Sequence, residues 1–117
     1  MTQGRIPTRM ITNKREEIEL EGLHKGVQLA MSKRDGDKAL ILLNELIQAA
    51  KQYNSIKYLG VGNALKGFLY YGLGEVKLAI NCFETALSFF SKRPEIFFDE
   101  IKQNKNSLGI LYRDIVE

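Results

Sequence analysis

Hydrophobic residues return along this chain at steps of three and four, the rhythm that places them on one face of a helix. Between residues 38 and 52, Ala39, Leu40, Leu43, Leu46, Ile47 and Ala50 form a single stripe of this kind. Nothing alternates with a period of two over more than a few residues, so no strand is expected. The pattern and its interruptions predict five helices. The first starts at Lys14, where Asn13 and Glu16 have the spacing of a capping box, and runs to about Lys33. KRDGDK breaks it, and Asp37 is the expected cap of a second helix from Lys38 to about Gln52. YNS ends that one and offers Asn54 or Ser55 as the cap of a third, from about Ile56 to Leu73. A fourth is expected from Glu75 to about Ser91, and a fifth from Pro94, a residue suited to the first helical position, toward Val116.

The helices repeat one another, which changes the fold to be expected. A shift of forty residues carries Ala39, Leu40, Leu43, Leu46, Ile47 and Ala50 onto Ala79, Ile80, Phe83, Ala86, Leu87 and Phe90, all apolar. Gly26 with Leu29, Gly67 with Tyr70 and Gly109 with Tyr112 are three copies of a small residue followed three later by a large one, 41 and 42 residues apart. The chain therefore reads as helix pair, helix pair, single helix: an all-α stack of antiparallel hairpins, two and a half repeats long. A glycine inside a helix forfeits about 1 kcal/mol of propensity. At Gly67 a close helix crossing offsets that loss, because a bulky residue of the neighbouring helix can fill the space a side chain would take. Gly60 and Gly62 are expected to pack against the preceding helix, whereas Gly72 and Gly74 end their helix and turn the chain.

Gly67, Tyr70, Gly74, Ala79, Phe83 and Ala86 stand at the spacing of the tetratricopeptide repeat, and the chain resembles that family over about residues 14 to 117. SLGILYRD, with Leu108, Gly109 and Tyr112, is similar to the first helix of a further repeat. The first pair diverges more: Gly26, Ala39 and Leu43 fit, but Leu29 replaces the tyrosine and Leu46 the second alanine. The period exceeds the family's usual length of about 34 residues and resembles the longer variant of some signalling and transport adaptors.

The resemblance implies a curved array whose first helices line a concave face that holds a peptide or helix of another protein. Counted from the repeated glycine, that face takes Leu23, Val27 and Ala30 from the first helix and Val61, Ala64, Phe68 and Tyr71 from the third. The fifth adds Gln103, Asn106, Ile110 and Arg113. Family members that clamp a terminal carboxylate do so with Lys, Arg and Asn, and only Asn106 and Arg113 are of that type here. The expected partner is instead an amphipathic helix or extended segment anchored on Phe68 and Tyr71. In so short an array the same residues can equally serve as core. A second functional reading makes the chain the sensor or oligomerisation module of a signalling or transcriptional regulator. Leu108, Ile110, Leu111, Ile115 and Val116 of the last helix have no following helix to cover them all. That helix is a cap covered by the fourth, the interface of a homodimer, or a surface covered by a C-terminal continuation. Phe89, Phe90, Phe97 and Phe98 form a second apolar group, which favours some intermolecular contact.

With 117 residues, 44% of them hydrophobic and 26% charged, the chain is expected to form one helical domain over residues 14–117 behind an arm of residues 1–13. No run approaches the roughly 18 to 20 apolar residues that span a membrane, and a cytoplasmic protein is expected. The net charge of +3 is uneven: the first fifteen residues hold Arg5, Arg9, Lys14 and Arg15 and no acid. A solvated tail, a basic arm touching an acidic partner or nucleic acid, and a transit peptide all remain open, although Gly4 and Pro7 interrupt the helix the last would need. Cys82 is expected to be a structural thiol, and His24 an ordinary helical residue. Catalysis, metals and cofactors are not expected. The acids Glu16, Glu17, Glu19, Glu21, Asp99 and Glu100 read as solvated faces, and GLG at 72–74 is a turn with no strand before it. Lys33 with Arg34 and Lys92 with Arg93 complement helix ends; with the arm they would form the stripe that nucleic-acid binding requires.

Overall fold

Asn13 opens the first helix with both halves of the expected capping box: its side chain accepts from the Glu16 N–H at 2.9 Å, and Glu16 Oε1 accepts from the Asn13 N–H. The computed structural model describes residues 13–116, so all of the basic arm except Asn13 lies outside the described residues. Five helices follow: α1 (Lys14–Ser32), α2 (Gly36–Gln52), α3 (Ile56–Gly72), α4 (Val76–Phe90) and α5 (Phe98–Val116). The fold is all-α among the described residues, with no strand. No helix among them is long and apolar enough to cross a membrane.

The first three turns share one design. Each contains a residue in the left-handed region, and these three residues, Arg34, Asn54 and Gly74, are spaced twenty apart. The residue after each donates its N–H to the carbonyl five residues back: Asp35 to Ala30, Ser55 to Ala50 and Glu75 to Tyr70, all at 2.9 Å. This closes one helix as a Schellman-type cap does and leaves the same residue as the N-cap of the next. The geometry explains a correction. The cap of α2 is Asp35, which accepts from the Lys38 N–H at 3.1 Å, and not Asp37, which sits in the first turn. Ser55 rather than Asn54 caps α3, accepting from the Tyr58 N–H.

The fourth turn departs from this design. A further step of twenty falls on Pro94, whose ring holds φ near −65° and excludes the left-handed region. The chain instead bends through Ser91–Ile96, with the N–H groups of Ile96 and Phe97 both directed to the Arg93 carbonyl. Helix α5 therefore starts at Phe98 and not at Pro94. The displacement brings Phe97 against Phe90, ring centroids 5.1 Å apart, and buries both.

Each helix packs on its neighbours in sequence, with a lesser contact between α1 and α3. The result measures 61 × 29 × 18 Å. The shortest dimension matches two helix layers, and the middle one the length of a 19-residue helix at 1.5 Å per residue. Its Cα radius of gyration, 15.4 Å, exceeds the roughly 13 Å of a compact chain of this length.

Glycines mark the closest crossings. A Cβ at Gly67 would stand 2.8 Å from the Phe83 ring, and one at Gly62 2.8 Å from Ile47. At Gly60 the close neighbour is Phe90 of the following helix, at 2.5 Å, and not the preceding helix. A Cβ at Gly26 would meet Leu42 at 3.3 Å. Gly109 differs, since a Cβ there meets nothing within 4 Å, so it is not a packing glycine within this structure. Ala79, Phe83 and Ala86 of α4 are fully or almost fully buried, like Ala39, Leu43 and Leu46 of α2.

Candidate functional site

The residues counted onto the concave face separate into two groups. Val27 and Ala30 are buried, Val27 completely. Leu23 is half-buried against the cluster of Leu20, Leu46 and Tyr58. These three belong to the core rather than to an open face. Val61 and Ala64 likewise pack against buried clusters. Phe68, Tyr71 and Ile110, by contrast, are 51%, 44% and 47% exposed and come together.

They border a cleft between α3 and α5 whose lining is completed by Phe83, Ser107 and Leu111. Helical spacing positions the walls: Phe68 and Tyr71 lie three apart on α3, and Ser107, Ile110 and Leu111 within one turn of α5. Phe83 of α4 meets Phe68 edge-to-face, centroids 5.0 Å apart at 83°. At one end the Tyr71 hydroxyl donates to Asp114 at 3.3 Å, linking the two helices. The Tyr112 hydroxyl donates to Glu84 and ties α5 to α4; this bond pushes the phenol's pKa up. The cleft's volume is about 90 Å³, far below the roughly 300–1,000 Å³ of pockets for drug-sized ligands. It can seat one or two apolar side chains.

Gln103, Asn106 and Arg113 are exposed on α5 but do not line the cleft, and Ser107 and Leu111 were not among the expected residues. A helical frame centred on Ile110 points to both, since Ser107 lies three residues before it and Leu111 next to it. Phe98, Tyr112 and Ile115 are further exposed apolar or aromatic residues of α5 among those described. Leu108 and Leu111 are buried with Ala79 and Phe83, so α4 covers that side of α5.

No group of three or more potential metal ligands occurs among the described residues. Cys82 is half-buried, and burial raises its thiol pKa, favouring the neutral form. His24 packs edge-on against Tyr58, centroids 5.7 Å apart. Burial, with a smaller effect from the Lys57 charge, lowers its pKa below the ordinary 6.5. The unfolded chain therefore takes up a proton at a pH where the folded chain does not, so stability is retained above about 6.5 and falls as pH drops below it. Thermal melts of the wild type should show this acid loss. A His24→Gln variant should show less of it, and equal losses in both would exclude His24 as the source.

No family model, curated protein or solved structure matches this chain.

Proposed function

We propose that this chain is a tetratricopeptide-type recognition module, non-catalytic, that holds an amphipathic helix of a partner protein and seats one of its apolar side chains in the cleft between α3 and α5. The observation that carries the reading is the convergence of Phe68, Tyr71 and Ile110, three large and half-exposed apolar residues, around an open cleft with Phe83 among its lining residues. Aromatic side chains at a concave, otherwise packed position are the usual anchors of binding energy. The narrow cleft favours an inserted side chain over a small molecule. The single half-buried thiol of Cys82, with no second cysteine to pair with, favours a reducing compartment such as the cytoplasm.

The test compares wild type with a Phe68→Glu, Tyr71→Glu double variant in pull-downs from the source lysate, after circular dichroism has confirmed helicity. Loss of two aromatic anchors, each worth about 2 kcal/mol, should lower affinity by a hundredfold or more. A specific band should therefore disappear. Capture of every band at wild-type level by a folded variant would overturn the reading.

A further inference from the structure

A second face of α5, turned away from the cleft, repeats a docking seam used elsewhere in the chain. On α3, Ile56, Gly60, Asn63, Gly67 and Tyr70 follow one another at steps of four, three, four and three, a single helical stripe. This stripe receives α4: Phe90 lies over Gly60 and Phe83 over Gly67. Ile56 packs beside Ala86 and Phe90, and Tyr70 beside Ala79 and Phe83. In the first pair, too, the residue over the repeated glycine comes from the following helix sixteen positions on, Leu42 over Gly26 as Phe83 over Gly67.

Forty-two residues after the α3 seam, α5 presents Phe98, Lys102, Lys105, Gly109 and Tyr112 in the same frame. No side chain lies within 4 Å of a Cβ built at Gly109. Phe98 is 69% exposed, and Lys102 and Lys105 are exposed beside it. The seam keeps the notch and a large residue at each end, Phe98 in place of Ile56 and Tyr112 in place of Tyr70, but replaces Gly60 and Asn63 with two cations. Arg113 adds a third next to the notch, and none of the three has an ion-pair partner among the described residues.

We propose that this seam docks an acidic amphipathic helix of a partner protein, with a bulky apolar side chain over Gly109 and carboxylates against Lys102 and Lys105. The glycine permits the close approach, and the cations select the partner. A second copy of α5 would bring Lys102, Lys105 and Arg113 toward the same three cations, and like charges across an interface disfavour that pairing. A helix carrying Glu or Asp one turn to either side of its apolar anchor meets no such repulsion. The lysine stems can lie along the anchor while their ammonium groups reach the carboxylates. The surface is separate from the cleft, since Gly109 and Ile110, being adjacent on a helix, face about 100° apart.

Two synthetic helical peptides test this, each with one central Phe, flanked by Glu in one and by Lys in the other, titrated against the full chain by fluorescence anisotropy. The Glu peptide should bind at least about tenfold tighter than the Lys peptide, and less tightly as salt rises. A Lys102→Glu, Lys105→Glu variant should reverse the preference. Gly109→Leu places its side chain in open space, so helicity should persist, while affinity for the Glu peptide should fall about tenfold or more. Phe68→Glu should leave that affinity unchanged, which separates this seam from the cleft. Absence of binding by the Glu peptide, or binding indifferent to Gly109→Leu, overturns the proposal. So does a wild-type dimer in light scattering that Gly109→Leu converts to monomer, since the seam would then be occupied by a second copy.

Discussion

Phe83→Ala should cost about 4 kcal/mol of folding stability, more than any other single truncation in the chain. The ring is 2% exposed. It lies against Gly67, stacks edge-on with Phe68, and shares a buried cluster with Ala79, Leu108 and Leu111. It thus joins α3, α4 and α5, and its removal leaves a cavity that the glycine facing it cannot fill. Domains of this size have roughly 5–15 kcal/mol of stability in total, so the loss should be a quarter or more of the whole. Urea denaturation followed by circular dichroism measures the loss. A cost below about 1.5 kcal/mol, the range of a volume-conserving exchange, would mean that the three helices do not meet on this ring. The same variant should bind a partner weakly even where it folds, because Phe83 lines the cleft.

Gly60→Leu should be the most damaging addition, at about 3 kcal/mol. Ring carbons of Phe90 stand 2.5 to 2.8 Å from where even a Cβ would lie. Phe90 cannot swing aside, being 1% exposed and packed against Phe97. Gly60→Ala should also destabilise, although alanine gains about 1 kcal/mol of helix propensity over glycine. Gly109→Ala makes the same chemical change in open space and should stabilise by about that 1 kcal/mol. Opposite shifts in Tm from one substitution at two helical glycines would isolate the close crossing as the cause. An increase at both positions would show that α3 and α4 are not held at this distance.

Much of this architecture is legible in the residues themselves. The apolar stripe of α2 and its copy in α4 predict two buried helices, and Ala39 and Ala79 are both completely buried. The reading of Gly67 as a crossing point follows from a glycine placed inside a well-patterned helix, where only close packing offsets its lost propensity, and Phe83 fills that space. Three features were not legible, each for a physical reason. Pro94 satisfies the local rule for a helix start, but the turn used by the rest of the chain needs a left-handed residue there, a constraint visible only once Arg34, Asn54 and Gly74 are aligned. Asp35 and Asp37 are equally good caps by type, and the hydrogen bond from Asp35 to Ala30 decides between them. Val27 and Ala30 occupy the expected helix face, but tertiary packing buries both, which helical periodicity alone does not reveal. Phe68, Tyr71 and Ile110 remain half-exposed around the cleft.

The habit of each helix packing on the next in sequence has a mechanical consequence. Contacts of this kind close short loops, so ordering can begin at any hairpin and spread outward, without one obligatory nucleus. Load applied along the stack would be met by one interface at a time, and the molecule would yield like a spring losing single coils. A stack held in this way lengthens by releasing a terminal hairpin while the other stays folded.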